Sequence, residues 1–208
     1  MSESSFFKNL KQNKRFLNLI IVFGTLLLVA LLDQISKRLI VSNMEEHDSV
    51  TLIKGVLNIT YITNKGSAFG MLANNRWVFM VLSVLGIGAM IAYAVRSANK
   101  SRVLTMVSLG MVIGGGIGNM IDRIFNGSVL GDGTVIDFID VCLIPDLWMW
   151  IFNVADAFVC VGCALLVICI ILDEVKSAKE KKAPGIAAGA EKENEPEDGN
   201  EPSGGTEV

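Results

Sequence analysis

The chain has 208 residues, of which 51% are hydrophobic and only 19% are charged, and its formal net charge is −3 at pH 7. A soluble domain of this size carries about 25% charged residues, so the composition excludes an ordinary soluble enzyme and indicates one polytopic membrane domain. Acids outnumber bases from Asp173 onward, so the negative charge belongs to the C-terminal tail. The net charge therefore says nothing about a partner of the membrane domain, and we expect no nucleic-acid partner.

The N-terminal part predicts an arm followed by a first transmembrane helix. Residues 1–15 are polar and basic, and we expect them to form a cytoplasmic arm. The apolar run that follows is too long for a signal peptide and ends in Asp33-Gln34 rather than in small residues. It predicts a helix over about 16–41. Asp33 and Lys37 lie four residues apart, so they can neutralise each other on one helix face.

The segment over about 42–72 differs in composition and predicts a small extracytoplasmic β structure. Residues 51–63 are rich in β-branched side chains with a glycine between two runs, which predicts two short strands. The turn Asn64-Lys65-Gly66 follows. His47, the only histidine, lies in a charged loop before the strands and is expected to be solvated.

Three further apolar runs predict the remaining membrane helices, over about 77–95, 103–125 and 147–172. The membrane domain is thus expected to be all-α, over residues 16–172, with a loop over 126–146. Gly110, Gly114 and Gly118 recur at every fourth position and predict a close contact with another helix. Residues 173–208 are rich in Glu, Pro, Gly and Lys, which predicts a disordered, cytoplasmic acidic tail.

The charge distribution predicts the orientation of the four helices. Basic clusters lie at 1–15, 96–102 and 176–182, and four spans place all three on one side. The positive-inside rule makes that side cytoplasmic, with both termini there. Trp77, Trp148 and Trp150 then lie at the outer interface, and the polar motifs lie near the outer leaflet.

The residue types exclude several kinds of intramembrane protease. One histidine cannot serve a Ser–His mechanism inside a helix, nor supply the ligands of a zinc protease. Aspartates remain as candidates for catalysis, because the chain contains several of them. Two close carboxylates share a proton, so that one acts as a base on water while the other protonates the carbonyl. We expect neither a metal nor a cofactor.

Five short motifs in order over residues 33–156 carry a resemblance to a known family. They are Asp33-Gln34-x-Ser36-Lys37, Asn64-x-Gly66-x-Ala68-Phe69, Gly114-Gly115-x-x-Gly118-Asn119-x-x-Asp122-Arg123, Val135-x-Asp137-Phe138 and Phe152-Asn153-x-Ala155-Asp156. Together they resemble lipoprotein signal peptidase, or signal peptidase II. The resemblance implies a bacterial inner-membrane aspartyl peptidase with four helices and a periplasmic β-cradle. It also implies prolipoprotein substrates, cut just before a diacylglyceryl-modified cysteine, and an enzyme embedded in lipid as a monomer.

The same resemblance implies roles for particular residues. Asp137 and Asp156 correspond to the catalytic pair. Residues that hold the substrate backbone or orient the pair are Asn64, Asn119, Arg123 and Asn153. Supporting polar groups are Asp33, Lys37 and Asp122.

Some alternatives stay open at the level of the sequence. Asp140 follows Asp137 by three residues and competes with it for the catalytic position, and the loop from Arg123 to Asp137 is longer than is typical of the family. Asp122 and Arg123 can also be read as a structural ion pair. A small cation- or proton-coupled transporter would use the same carboxylates as ion ligands, although the chain shows no internal repeat.

Overall fold

The computed structural model describes residues 3–65, 76–126, 133–142 and 150–182. In order, these form α1 (Glu3–Asn43), β1 (Ser49–Ile53), β2 (Leu57–Asn64), α2 (Arg76–Ser97), α3 (Val103–Phe125), β3 (Val135–Val141), β4 (Ile151–Phe152) and α4 (Val154–Lys182). By length and composition, four of the described helices can cross a membrane, over Gln12–Asn43, Met80–Ser97, Val103–Phe125 and Val154–Lys179. The predicted class of four membrane helices with a small sheet is confirmed.

The chain divides into two compact units, residues 1–169 and 170–208. The first contains α1, α2, α3, the sheet and the first half of α4. In the second, the described residues are the C-terminal part of α4 up to Lys182.

Helix α3 is the most buried helix, and its glycines explain how its neighbours approach it. A Cβ atom at Gly110 would lie 2.8 Å from the carbonyl oxygen of Val22, and one at Gly114 would lie 2.7 Å from that of Leu26. The predicted glycine stripe is therefore the surface on which α1 packs. Gly115 lies off this stripe and contacts α4, because its Cβ would lie 2.5 Å from the carbonyl oxygen of Ala155.

The four strands form one antiparallel sheet in the order β1-β2-β3-β4. The two predicted strands are confirmed as β1 and β2. Strand β3 lies inside the segment predicted as a loop, so that prediction is wrong for residues 135–141. Its pairing residues are distant in the chain, with Asn58 opposite Asp140 and Asn64 opposite Val135. Five of the seven residues in 135–141 are Val, Ile or Phe, so a local strand signal was present in the sequence, although the pairing partner depends on the fold.

The helix ends also differ from the prediction. Helix α1 begins at Glu3, so nearly all of the predicted arm is helical. Helix α4 begins at Val154 rather than near 147, because β4 takes residues 151–152 and Asn153 caps the helix. It continues to Lys182, since residues 173–182 are mostly good helix formers despite their charge.

Several predicted features lie outside the described residues. These are the turn glycine Gly66 with Ala68 and Phe69, residues 127–132 of the long loop, Trp148, and residues 183–208 of the tail. Trp77 and Trp150 are both exposed.

Candidate active site

Asp137 is buried in β3 and lies among amide groups. Its side chain is 2% exposed. Its two carboxylate oxygens accept hydrogen bonds from the amide nitrogens of Asn64, at 2.9 Å, and Asn153, at 2.7 Å. The pKa of Asp137 is raised to about 7, mainly by burial and to a smaller extent by the nearby charge of Asp156, although the two amide donors act in the opposite direction.

A bulge in β2 places Asn64 on the same face of the sheet as Asp137. Before the bulge Ile59 lies opposite Ile139, and after it Ile62 lies opposite Asp137, so β2 contains one extra residue. An extra residue exchanges the two faces of a strand. Without this bulge, the side chain of Asn64 would point to the opposite face of the sheet.

Asp140 lies on that opposite face, because residues three apart in a regular strand point in opposite directions. Its carboxylate accepts a hydrogen bond from the hydroxyl of Thr60 at 2.9 Å, and it is only half-buried. The structure thus brings Asp137, and not Asp140, into the cluster of polar residues.

Asp156 lies in the first turn of α4, and a reciprocal cap holds it there. The amide oxygen of Asn153 accepts a hydrogen bond from the backbone N–H of Asp156 at 2.9 Å. The carboxylate of Asp156 accepts one from the backbone N–H of Asn153 at 3.4 Å. This is the capping-box arrangement, with Asp in the place of the usual Glu, and it fixes the carboxylate at the helix start.

Two asparagines join the two carboxylates. The amide nitrogen of Asn153 reaches both Asp137 and the amide oxygen of Asn119, the latter at 3.0 Å. The amide nitrogen of Asn119 then donates to Asp156 at 2.7 Å. An unbroken chain of hydrogen bonds therefore runs from Asp137 through Asn153 and Asn119 to Asp156, and it joins β3, α3 and α4.

Lys37 supports this chain from α1. Its ammonium is buried and donates to Asp33 at 2.8 Å, to Asp122 at 2.9 Å and to the amide oxygen of Asn119 at 2.9 Å. These three acceptors match the three hydrogens that a lysine carries. The predicted pairing of Asp33 with Lys37 is confirmed, and Asp122, a predicted alternative partner of Arg123, also bonds to Lys37.

The two acids that flank Lys37 connect it to other elements. The carboxylate of Asp33 accepts a hydrogen bond from the backbone N–H of Ala155 at 2.9 Å. The carboxylate of Asp122 accepts one from the backbone N–H of Ile136 at 3.2 Å. Each acid therefore ties a helix to the residue next to a candidate catalytic aspartate. Arg123, the next residue in α3, is buried as well.

Gln34 belongs to the same network, although we assigned it no role from the sequence. Its amide nitrogen donates to the carboxylate of Asp122 at 2.8 Å and to the carbonyl oxygen of Gly118 at 3.1 Å. Its position three residues before Lys37 puts both on one face of α1. This spacing in the sequence is the signal that could have assigned Gln34 to the network.

The arrangement is suited to acid–base chemistry between two carboxylates. Asp137 is protonated over a range that approaches neutral pH, whereas Asp156 is half-buried and so can be reached by water. In the described part of the chain, no group of three His, Cys, Asp or Glu side chains is placed to hold a metal ion.

Comparisons with known proteins identify the family of this chain. A family model described as signal peptidase (SPase) II matches residues 25–172. A lipoprotein signal peptidase from Halalkalibacterium halodurans is 39% identical over 157 residues, which cover 76% of this chain and 96% of the relative. One from Syntrophomonas wolfei is 39% identical over 151 residues, covering 73% and 93%. A solved bacterial membrane enzyme is 29% identical, with a TM-score of 0.64 over 78% of this chain and 92% of its own.

Proposed function

The chain belongs to the signal peptidase II family and is a multi-pass membrane peptidase, and from this premise we propose that it removes signal peptides from prolipoproteins by aspartyl catalysis. The proposed cleavage site is the peptide bond just before a diacylglyceryl-modified cysteine. The observation that supports the aspartyl mechanism is the hydrogen-bonded chain from Asp137 through Asn153 and Asn119 to Asp156.

We assign different roles to the two carboxylates. Asp137 is the acid, because burial raises its pKa to about 7 and keeps a proton available. Asp156 is the base, because it is half-buried and its carboxylate accepts hydrogen bonds from the side chain of Asn119 and the backbone of Asn153. A split of this kind is how paired carboxylates activate water.

The reaction then follows from the two protonation states. Asp156 takes a proton from a water molecule, and the water oxygen attacks the scissile carbonyl carbon while Asp137 donates its proton to the carbonyl oxygen. The tetrahedral intermediate collapses when Asp156 passes its proton to the leaving nitrogen and Asp137 recovers a proton from the hydroxyl group. Both carboxylates end in their starting states.

The remaining site residues are proposed to hold the substrate or the catalytic pair. Asn64 and Arg123 are proposed to contact the extended peptide, since an amide both donates and accepts and a guanidinium donates in several directions. Asn119 and Asn153 orient the carboxylates. The supporting groups are Asp33, Lys37 and Asp122.

The decisive experiment is cleavage of a purified, diacylated prolipoprotein by the purified protein in a reconstituted membrane. Asp137→Asn and Asp156→Asn should each abolish cleavage, because the amide keeps the size of the side chain but cannot exchange a proton in the same way. The double variant should be little worse than either single one, since the two act as a unit. Asp140→Asn is the matched control in the same strand and should cleave normally. Near-full cleavage by Asp137→Asn would refute the assignment, and a transporter would show no cleavage at all.

We propose further that both termini are cytoplasmic and that the catalytic pair lies near the outer leaflet of the inner membrane. The basic clusters at 1–15, 96–102 and 176–182 support this orientation. A reporter fused after Val175 should report the cytoplasm, whereas one inserted at Gly55, in the turn between β1 and β2, should report the outside. The reverse pattern would place the site on the inner face.

A further inference from the structure

A cleft of about 460 Å³ lies between the C-terminal ends of α1 and α3, beside β3. It is separate from the catalytic pair, since neither Asp137 nor Asp156 lines it. The candidate membrane spans Gln12–Asn43 and Val103–Phe125 both end here. The cleft therefore opens at the boundary between the membrane and water, whichever side of the membrane that is.

The lining of the cleft combines an apolar wall with one available cation. Val41, Phe125 and Ile136 supply apolar surface, and Phe125 is 75% exposed. Arg38 also lines the cleft and is exposed. Its guanidinium forms no hydrogen bond or ion pair with any residue that the structure describes. An exposed arginine at this helix end that has no acceptor among the described residues is available to a ligand.

The other charges in the cleft are already neutralised by one another. Lys37 and Asp122 both line it, but they are paired at 2.9 Å, and Gln34 donates to the second oxygen of Asp122. Arg38 is therefore the charge that remains to be satisfied, and its planar guanidinium is suited to binding a phosphate through two parallel hydrogen bonds.

We propose that this cleft binds the headgroup of a membrane phospholipid. The phosphate contacts Arg38, and the glycerol and the first acyl carbons lie against Val41 and Phe125. Two observations favour a lipid over a free anion: the cleft lies at the end of two membrane spans, and part of its wall is apolar. Basic pockets between membrane helices are a known type of site for lipid headgroups. This inference depends on the membrane spans alone and not on the proposed catalytic mechanism.

A bound headgroup would also cover the buried pair beneath it. Lys37 lines the cleft and bonds to Asn119, which bonds to Asp156. Exclusion of water strengthens an ion pair, because the local dielectric constant falls. The lipid in this cleft is therefore in contact with the network that orients the catalytic pair.

The test measures binding of short-chain phosphatidylglycerol to the delipidated, full-length protein in detergent, by native mass spectrometry and by thermal unfolding. Wild-type protein should retain the lipid, and Arg38→Gln should weaken binding about fivefold, as expected for one cation at an anionic lipid surface. Arg38→Lys should restore most of the binding. The matched control is Arg15→Gln, which removes an exposed arginine from the other end of the same helix and should leave binding unchanged.

The dependence on Arg38, rather than binding itself, is the readout, because the proposed active site also accommodates acyl chains. Equal binding by wild type and Arg38→Gln would overturn the proposal. Inorganic phosphate at the same concentration should stabilise the protein far less than the phospholipid does. Equal, Arg38-dependent stabilisation by phosphate alone would identify a site for free anions and would also overturn the lipid assignment.

Discussion

The ammonium of Lys37 donates a hydrogen bond to the amide oxygen of Asn119 at 2.9 Å and thereby fixes which end of that amide faces Asp156. An ammonium can only donate, so the oxygen of Asn119 must turn toward it. The amide nitrogen is then directed at the carboxylate of Asp156, at 2.7 Å. Lys37 in α1 thus determines that the amide nitrogen of Asn119, and not its oxygen, faces the carboxylate of Asp156 in α4.

Replacing Lys37 should destabilise the protein strongly. Lys37→Met leaves the buried carboxylates of Asp33 and Asp122 without their cation, and breaking a buried pair costs about 3–5 kcal/mol. Thermal unfolding in detergent measures the loss. Lys54→Met, at an exposed turn, is the control and should change stability little. A Lys37→Met protein as stable as the wild type would show that the two acids are neutral in the fold.

The activity of the protein should decline as the pH rises through about 7. Burial raises the pKa of Asp137 to about 7, and the proposed mechanism needs that carboxyl protonated. The alkaline limb of kcat/KM against pH should therefore lie near this value. Asp140→Asn should leave the limb in place. A rate that stays level from neutral to strongly alkaline pH would contradict the assignment of Asp137 as the acid.

Stability should follow pH in the same direction. Between the ordinary pKa of 3.8 and the folded value of about 7, the folded protein holds a proton on Asp137 that the unfolded chain has lost. The contribution of Asp137 to stability is therefore largest at low pH and falls by up to about 1.4 kcal/mol per pH unit across this window. Asp137→Asn should remove this contribution to the pH dependence of stability. In thermal unfolding, the stability of the variant relative to the wild type should therefore rise with pH.

Gly118 should tolerate no side chain. A Cβ there would lie 2.5 Å from Oδ2 of Asp33, and this carboxylate is held at Oδ2 by the ammonium of Lys37 and at Oδ1 by the backbone N–H of Ala155. Gly118→Ala should cost roughly 1–3 kcal/mol and lower activity, because the network must shift. Gly86→Ala in α2 is the control: nothing lies within 4 Å of its Cβ, so alanine should be neutral or slightly stabilising there.

Asn64 should matter both for the cleavage rate and for its pH dependence. Its amide donates to Asp137 and holds the pKa of that carboxyl below the value that burial alone would give. Asn64→Ala should lower kcat/KM at least roughly tenfold and move the alkaline limb to higher pH. Asn58→Ala, on the same strand but before the bulge, should do neither. If Asn64→Ala lowers kcat/KM but leaves the alkaline limb at the same pH, Asn64 acts only through contacts with the substrate and not through the pKa of Asp137.

The sequence determined the helices of this protein because their signals are local. Long apolar runs predict membrane spans from composition alone, and the predicted third helix over 103–125 coincides with α3. The spacing of Gly110 and Gly114 predicted a close helix contact for the same reason, since every fourth residue lies on one face of a helix. Likewise, Asp33 and Lys37 were paired correctly because they lie one turn apart.

Only the tertiary structure decided how the polar residues meet. Strand β3 forms because β2 lies beside it, and the extra residue in β2 turns Asn64 toward Asp137 rather than Asp140. Lys37 reaches Asp122 and Asn119, more than 80 residues away in the chain, because the glycines of α3 allow α1 to pack closely. Each candidate catalytic residue can therefore be identified individually from the sequence. Their hydrogen-bond partners are not, because a bulge and a helix contact set the directions of side chains that are far apart in the chain.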